Sequence, residues 1–179
     1  MDIILEAGHA FGSGGHPSTQ LVLHILEGLS EHTTLAKVLD IGCGSGVLSI
    51  AAVSLLDANV LATDISPDAV LQTEKNAALN GMADSIRAFR SDGPDAPEIT
   101  KAAPYDLILC NVLTDTMIPW LKNLNKLLKV NGLICFSGIL SWQEETFRHF
   151  CLAAHFEIIH AANYDGWSAI LAQNTSTST

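Results

Sequence analysis

The chain has 179 residues, of which 48% are hydrophobic and 16% are charged, and its formal net charge is −10. This composition supports one folded domain with a sizeable core and excludes a disordered chain. Binders of nucleic acid or of membrane surfaces are usually basic, so we expect neither as a partner. An acidic surface suits a basic partner, although acidity alone more often serves only solubility.

Short β-rich runs alternate with helix-like segments along the chain, which indicates βαβ units in a parallel sheet. Five strands are predicted at residues 37–41, 59–65, 85–89, 105–112 and 132–139. Five helices are predicted at Thr19–Leu29, Val47–Leu56, Pro67–Asn80, Thr116–Leu128 and Trp142–Ala153. The strands are almost continuously apolar, as expected when helices cover both faces of a sheet.

The remaining segments are turns, a loop and a closing hairpin. Asn131-Gly132 predicts a turn before the fifth strand, and the Pro-, Asp- and Gly-rich residues 91–104 predict a loop. Two final β-like runs, 155–163 and 166–172, are expected to pair through "YDG" as an antiparallel hairpin. Residues 1–172 would then form a single domain, and residues 173–179 a disordered polar tail.

The first strong strand ends in the glycine-rich turn "DIGCGSG". Ligands of parallel sheets bind beyond the carboxyl ends of the strands. Gly42, Gly44 and Gly46 allow a tight turn that brings backbone amides close to a ligand. Asp64, about 20 residues further on at the end of the second strand, can accept hydrogen bonds from both hydroxyls of a ribose. The pattern therefore predicts a nucleoside ligand.

The spacing of this turn indicates which nucleoside is bound. It is GxGxG rather than the dinucleotide pattern GxGxxG, and no Lys follows as in a phosphate loop. Asp40 would repel a pyrophosphate but attract a sulfonium or an ammonium group. We therefore predict S-adenosylmethionine. Asp92, after the third strand, is expected either to face the adenine amino group or to be a solvated loop acid.

Two further motifs are "AFGSGGHPST" before the first helix and "CNVL" at the end of the fourth strand. With "DISPDAV", "NAALNG", "FSGILSWQ" and "GWSAIL", they make the chain resemble the ribosomal protein L11 methyltransferase (PrmA-like) family over most of its length. The resemblance implies an α/β, Rossmann-like class I methyltransferase fold, with a mostly parallel seven-stranded sheet, helices on both faces and an antiparallel C-terminal strand. It also implies S-adenosylmethionine as the cofactor, S-adenosylhomocysteine as the product, and a basic ribosomal protein as a candidate acceptor.

The resemblance also implies site residues at the positions that match the family motifs. Direct cofactor contacts are implied at Thr19, Gly42, Asp64 and Asn111. A loop that folds over the cofactor is implied at Phe11, Gly12, Gly14 and His16. The complete set of predicted cofactor-binding residues is Phe11, Gly12, Gly14, Thr19, Asp40, Gly42, Gly44, Gly46, Asp64, Ile65, Asp92 and Asn111.

Asn111 and His16 are the candidate catalytic residues. An amine must be neutral to attack a methyl group, and burial beside a sulfonium would lower the pKa of lysine from its reference value near 10.4. Asn111 could orient that amine through its side-chain carbonyl, or could be a strand-end turn former. His16 could line the acceptor pocket, relay a proton or only hydrogen-bond its turn. Trp142 and Gln143 could line the rim of the site or pack at a helix start.

The family members that act on the ribosomal protein carry an additional amino-terminal docking domain, whereas only about ten residues precede the first motif here. We therefore expect the catalytic domain without that docking domain. N-methylation of a protein lysine or amino terminus is the first hypothesis. A small-molecule N-methyltransferase and a non-catalytic cofactor-binding partner subunit are the alternatives, and the glycine spacing disfavours a nicotinamide oxidoreductase.

The four cysteines show no CxxC pair and no metal-finger spacing, so we expect no metal site. Small buried residues in a reducing compartment are the simpler explanation for them. The sequence has no apolar run near the roughly 20 residues of a membrane span, and its amino end does not resemble a secretory signal. Together these features predict a cytoplasmic protein.

Overall fold

The computed structural model describes residues 3–6, 14–31 and 35–176. The strands in this part of the chain are β1 (Lys37–Ile41), β2 (Asn59–Asp64), β3 (Ile86–Arg90), β4 (Tyr105–Asn111), β5 (Leu128–Leu140), β6 (Phe156–Tyr164) and β7 (Trp167–Asn174). They form one seven-stranded sheet in the order β3-β2-β1-β4-β5-β7-β6. The first five strands pair in parallel, whereas β7 pairs antiparallel with both β5 and β6.

Helices connect the parallel strands and cover the sheet. The α-helices are α1 (Pro17–Ser30), α2 (Val47–Leu56), α3 (Pro67–Leu79), α4 (Pro97–Ala102), α5 (Thr114–Met117), α6 (Leu121–Leu127) and α7 (Glu144–Ala153). Short 3₁₀ turns at Ile118–Trp120 and Ser141–Gln143 precede α6 and α7. The predicted α/β class with a mostly parallel seven-stranded sheet is confirmed.

The core consists of two apolar clusters, one on each face of the sheet. One cluster joins the sheet to α1, α2 and α3, and the other joins it to α4, α5, α6 and α7. Because both faces are covered, the central strands are buried along nearly their whole length. All four cysteines are free and buried in this core, as expected. In the described part of the chain, no helix is long and apolar enough to cross a membrane.

The closing hairpin is confirmed, and its turn has the expected chemistry. Asp165 and Gly166 connect β6 to β7, and both have positive φ values, of 46° and 79°. Two consecutive residues of this kind match the twist of a tight hairpin. Strand β7 continues to Asn174, whose side chain is buried against Asn125. It therefore extends two residues into the segment that we expected to be a disordered tail.

Three local predictions differ from the structure. The helix predicted at Thr116–Leu128 is divided into α5, a 3₁₀ turn and α6, because Pro119 lacks the N–H that a continuous helix needs. The predicted loop at 91–104 contains α4, which begins with Pro97 at its first helical position. The Asn131-Gly132 turn lies inside β5, where it shifts the register against β4.

Candidate active site

A cavity of about 510 Å³ opens beyond the carboxyl ends of β1, β2 and β4. Ligand sites are expected at this edge in open α/β sheets. Eight of the predicted site residues line it: His16, Thr19, Gly42, Gly44, Asp64, Ile65, Asp92 and Asn111. The structure therefore brings together residues that are separated by up to about 95 positions in the sequence.

The glycine turn forms one wall of the cavity with its backbone. The amides of Gly42 and Cys43 both donate to the carbonyl of Thr63, at 2.8 and 3.0 Å, which anchors the turn to the end of β2. Gly42 has a φ of 77°, and a Cβ atom there would lie 2.4 Å from Cγ1 of Val112. Both the conformation and the space at this position therefore require glycine.

Asp64 is held in place by two backbone amides. Its Oδ2 accepts from the amide of Gly44 at 3.0 Å, and its Oδ1 accepts from the amide of Ser66 at 2.9 Å. A carboxylate has about four acceptor positions, so both oxygens can accept further hydrogen bonds from a ligand. This geometry fits a diol, such as that of a ribose.

Asp40 lies behind the glycine turn and does not line the cavity. Its Oδ2 accepts from the hydroxyl of Ser49 at 2.6 Å, whereas its Oδ1 is buried without a partner among the described residues. Burial raises the pKa of Asp40 to about 6, and the nearby charge of Asp64 acts in the same direction. Because Asp40 does not line the cavity, its negative charge can act on a ligand only at a distance and not through a direct contact.

Asn111 ends β4 and faces the cavity. Its amide nitrogen donates to Oγ1 of Thr19, a buried residue of α1, at 3.4 Å. No hydrogen bond within the described residues engages its amide oxygen, so this atom can accept one from a ligand. The contact between α1 and β4 thus positions the side chain that we expect to orient an acceptor amine.

His16 both caps α1 and lines the cavity. Its Nδ1 accepts from the amide of Ser18 at 3.3 Å, and α1 begins one residue later, at Pro17, two residues before its predicted start. Its ring packs edge-on against Trp167, with ring centroids 4.8 Å apart. The side chain of His16 therefore hydrogen-bonds its own turn and lines the cavity at the same time, so these two interpretations are compatible.

The other predicted site residues lie elsewhere. Gly14 and Gly46 do not line the cavity, and Phe11 and Gly12 lie outside the described residues. The open side of Gly46 faces α3, where a Cβ atom would lie 2.9 Å from Cγ2 of Thr73. Its role in this structure is therefore the close packing of α2 on α3.

Trp142 and Gln143 lie in the turn that follows β5, outside the cavity. Oε1 of Gln143 accepts from the hydroxyl of Thr114 at 2.9 Å and from the amide of Leu140 at 3.1 Å. Gln143 therefore fits the expectation of packing at a helix start. Trp142 is 77% exposed and contributes nothing to the lining.

Several lining residues were not predicted from the sequence, and two of them are tryptophans. Trp120 lies against Gly93, where a Cβ atom would be 2.9 Å from the indole ring, and Trp167 begins β7. The other unpredicted residues are Ser18, Ile41, Cys43, Val47, Leu48, Ser91, Gly93, Val112, Leu113, Thr116 and Gly138. Ser91 and Val112 directly follow strands, and that position alone could have identified them. Among the described residues, no group of three His, Cys, Asp or Glu side chains could hold a metal ion.

The sheet order, the antiparallel final hairpin and the glycine turn beside a carboxylate define the class I, Rossmann-like methyltransferase fold. The structure is similar to the crystal structure of a ribosomal protein L11 methylase from Lactobacillus delbrueckii subsp. bulgaricus. The two have a TM-score of 0.86 and 31% sequence identity over 97% of this chain and 86% of that chain.

The sequence comparisons identify the family. The family model described as "Ribosomal protein L11 methyltransferase (PrmA)" matches residues 1–175. The chain is 35% identical to the ribosomal protein L11 methyltransferase of Haemophilus ducreyi over 95% of its length, which covers 55% of that protein. It is 39% identical to the Vibrio cholerae protein of the same name over 84% of its length, which covers 48% of that protein. The chain belongs to the ribosomal protein L11 methyltransferase family, and it spans about half the length of these relatives.

Proposed function

We propose that this chain transfers a methyl group from S-adenosylmethionine to an amine of a protein. The observation that carries the proposal is the shared cavity of Asp64 and Asn111, one suited to a ribose and the other to an amine. Family membership supports the same activity, since the named relatives are ribosomal protein L11 methyltransferases. Ribosomal protein L11 is accordingly the first acceptor to test.

The residues present fit the nucleoside part of the cofactor. Asp64 would accept hydrogen bonds from the ribose, and the amides of the glycine turn allow the ligand to approach the backbone closely. The carboxylate of Asp40, buried behind the glycine turn, would favour a cationic ligand through its charge and not through contact. When bound, the cofactor supplies a methyl group that is already activated for displacement.

The protein's own contribution is to position a neutral amine and to exclude water. Asn111 would accept a hydrogen bond from the amine through its amide oxygen, and Thr19 fixes the orientation of that amide. Thr19 is thus a positioning residue that acts through Asn111. His16 and Trp167 form the neighbouring aromatic surface, against which the stem of the acceptor would pack.

The other hypotheses lead to different expectations. A small-molecule N-methyltransferase would use the same cavity without a protein acceptor, and a partner subunit would bind cofactor without turnover. The four free, buried thiols fit a reducing compartment, so cytoplasmic action on a protein remains part of the proposal. The acidic surface makes nucleic acid an unfavourable direct partner.

The first test is calorimetry with S-adenosylmethionine and with NAD on the full chain. We expect binding of S-adenosylmethionine alone and a loss of at least about tenfold in affinity in Asp64→Ala, because two ribose hydrogen bonds to a carboxylate are removed. Asp84→Ala, an exposed acid remote from the cavity, is the matched control. Binding of NAD in preference to S-adenosylmethionine would contradict the cofactor assignment.

The second test is transfer from labelled cofactor to purified ribosomal protein L11. At saturating cofactor, Asn111→Ala should lower kcat by about 100-fold, the usual loss when a positioned polar contact to the reacting group is removed. Thr19→Val should give a smaller decrease of the same kind. Label that appears only in small molecules of a lysate would favour the small-molecule hypothesis. Tight cofactor binding without transfer to any acceptor would favour the partner subunit.

A further inference from the structure

The lysines of the molecule lie away from the carboxyl ends of the strands, where the cavity opens. All six lysines lie at the start of a strand or on a helix that leads to such a start: Lys37 and Lys129 on β1 and β5, Lys75 on α3, Lys101 on α4, and Lys122 and Lys126 on α6. They therefore avoid the turns that follow the carboxyl ends of β4 and β5. Of the arginines, Arg148 is paired with Glu144 at 2.8 Å. Arg87 and Arg90 belong to β3, and Arg90 donates to the carbonyl of Ile65 at 3.0 Å, on the side of the cavity away from β5 and β6.

The mouth of the cavity carries acids instead. Asp92 lines the cavity, Asp115 lies in α5 directly after the end of β4, and Asp165 lies in the turn between β6 and β7. All three are exposed. No salt bridge between described residues neutralises any of them. An unneutralised acidic mouth attracts cations and repels phosphates.

Two large apolar side chains are exposed beside these acids. Leu113, which lines the cavity, is 66% exposed, and Trp142 is 77% exposed. An exposed tryptophan next to a binding cavity is unusual for a surface with no partner, because aromatic anchors are enriched at interfaces.

Hydrogen bonds join the turns that carry these side chains into one surface. The hydroxyl of Thr114, next to Leu113, donates to Oε1 of Gln143, next to Trp142, at 2.9 Å. The amide of Ser141 donates to the carbonyl of Gly166, next to Asp165, at 2.9 Å. We call the surface formed by Leu113, Asp115, Trp142 and Asp165 the docking rim. Its four side chains are exposed, but their backbone is fixed.

We propose that the docking rim binds an extended, basic segment of the acceptor protein, on the side of the target amine. The inference rests on the proposed function, because it assumes that the acceptor is a protein. Aliphatic stems of lysine and arginine would pack on Leu113 and Trp142, and their charged ends would meet Asp115 and Asp165. A second copy of this chain is excluded as the favoured occupant by its own net charge of −10, and an RNA by its phosphates.

Binding without turnover gives the most direct test. Two fluorescein-labelled peptides of equal length would be compared, one that alternates lysine or arginine with leucine and one with glutamate in place of each basic residue. Anisotropy is measured on the full chain with S-adenosylhomocysteine present. We expect the basic peptide to bind at least about tenfold more tightly, and its affinity to fall as salt is raised to about 0.5 M, because salt screens exposed charges.

The rim variants should separate charge from apolar contact. Trp142→Ala should weaken binding of the basic peptide by about three- to tenfold at every salt concentration. The double variant with Asp115→Asn and Asp165→Asn should weaken it by about the same factor at low salt and reduce the salt dependence. Leu152→Ala and Asp84→Asn are matched controls, because both residues are exposed at the opposite end of the molecule and should leave the affinity unchanged.

The outcomes distinguish the docking rim from the proposed function. Equal binding of the two peptides, tighter binding of the acidic one, or equal losses in rim and control variants would overturn the docking rim. If ribosomal protein L11 is methylated equally by the wild type and the rim variants, methyl transfer stands and the docking rim falls. If the basic peptide binds as expected but no protein accepts a methyl group, the rim is a site for basic peptides, and the proposed function falls together with the assignment of that peptide to an acceptor.

Discussion

The two walls of the cavity are built from different parts of the chain. The cofactor wall, formed by residues 42–44 and Asp64, consists of backbone amides and a carboxylate that they hold. The acceptor wall, formed by His16, Asn111 and Trp167, presents side chains from three separate elements. The position of backbone amides changes only if the main chain itself moves, whereas a surface made of side chains can be changed by single substitutions. The first suits an invariant ligand, and the second suits an acceptor that can differ between relatives.

Val112 lies between the two walls, and it gives the largest expected effect. Gly138 has a φ of 79°, and a Cβ atom there would lie 2.3 Å from the backbone oxygen of Val112. We expect Gly138→Ala to lower the free energy of unfolding by about 4 kcal/mol, from left-handed strain and overpacking together. Urea denaturation measures this change. Gly81→Ala, with a φ of 71° and no atom within 4 Å of the added Cβ, gives the strain alone and should cost about 1–2 kcal/mol.

Val112 also allows a side-chain clash to be separated from a backbone clash. The clash in Gly42→Ala involves Cγ1 of Val112, so a second change, Val112→Ala, should restore part of the lost stability. The clash in Gly138→Ala involves the backbone of Val112, and the same second change should not restore it. Equal rescue at both glycines would contradict this division.

Asp40, buried behind the cofactor wall, gives the next effect, in the pH dependence of stability. Burial raises its pKa in the folded state to about 6, from an ordinary value of 3.8. The folded state therefore binds more protons than the unfolded state between these values, so this residue's contribution to stability falls as the pH rises from about 4 to about 6. The full loss is about 3 kcal/mol above that range.

Asp40→Asn removes this titration and keeps an oxygen that can accept from Ser49. Its free energy of unfolding should exceed that of the wild type at pH 7 and should vary less between about pH 4 and about pH 6.5. Urea denaturation at several pH values, without ligand, makes the measurement. Asp84→Asn, an exposed acid, should follow the wild-type profile. A wild-type stability that rises through this range would show that Asp40 is not the dominant group.

The cofactor wall was largely predictable from the sequence, because its ligand-facing groups belong to consecutive residues at strand ends. Gly42, Gly44 and Asp64 could be placed by spacing alone. Gly46 shows where this reasoning stops, since whether a glycine faces a ligand or another helix depends on α3. Trp120 was missed because Pro119 divides a segment that looked like one continuous helix.

The acceptor wall was less predictable, because its members come from distant parts of the chain. Asn111 was expected from its strand end and its motif, but its partner Thr19 lies 92 residues away. Trp167 reaches the cavity only because β7 is inserted between β5 and β6 and so begins beside the carboxyl end of β5. Periodicity and spacing contain no information on such pairings, which depend on strand order.

The smallest expected effect concerns His16, where capping and acceptor binding can be separated. His16→Ala removes the acceptor for the Ser18 amide at the start of α1 and should cost about 1 kcal/mol of stability. His16→Asn supplies a good helix cap but lacks the ring that packs on Trp167. The asparagine variant should therefore recover the stability, measured by urea denaturation, while kcat/KM for the protein acceptor stays reduced by about threefold or more. If kcat/KM recovers together with stability, His16 serves the acceptor wall only by capping α1. If it does not, the ring of His16 itself contacts the acceptor, and this one side chain both caps α1 and forms part of the acceptor wall.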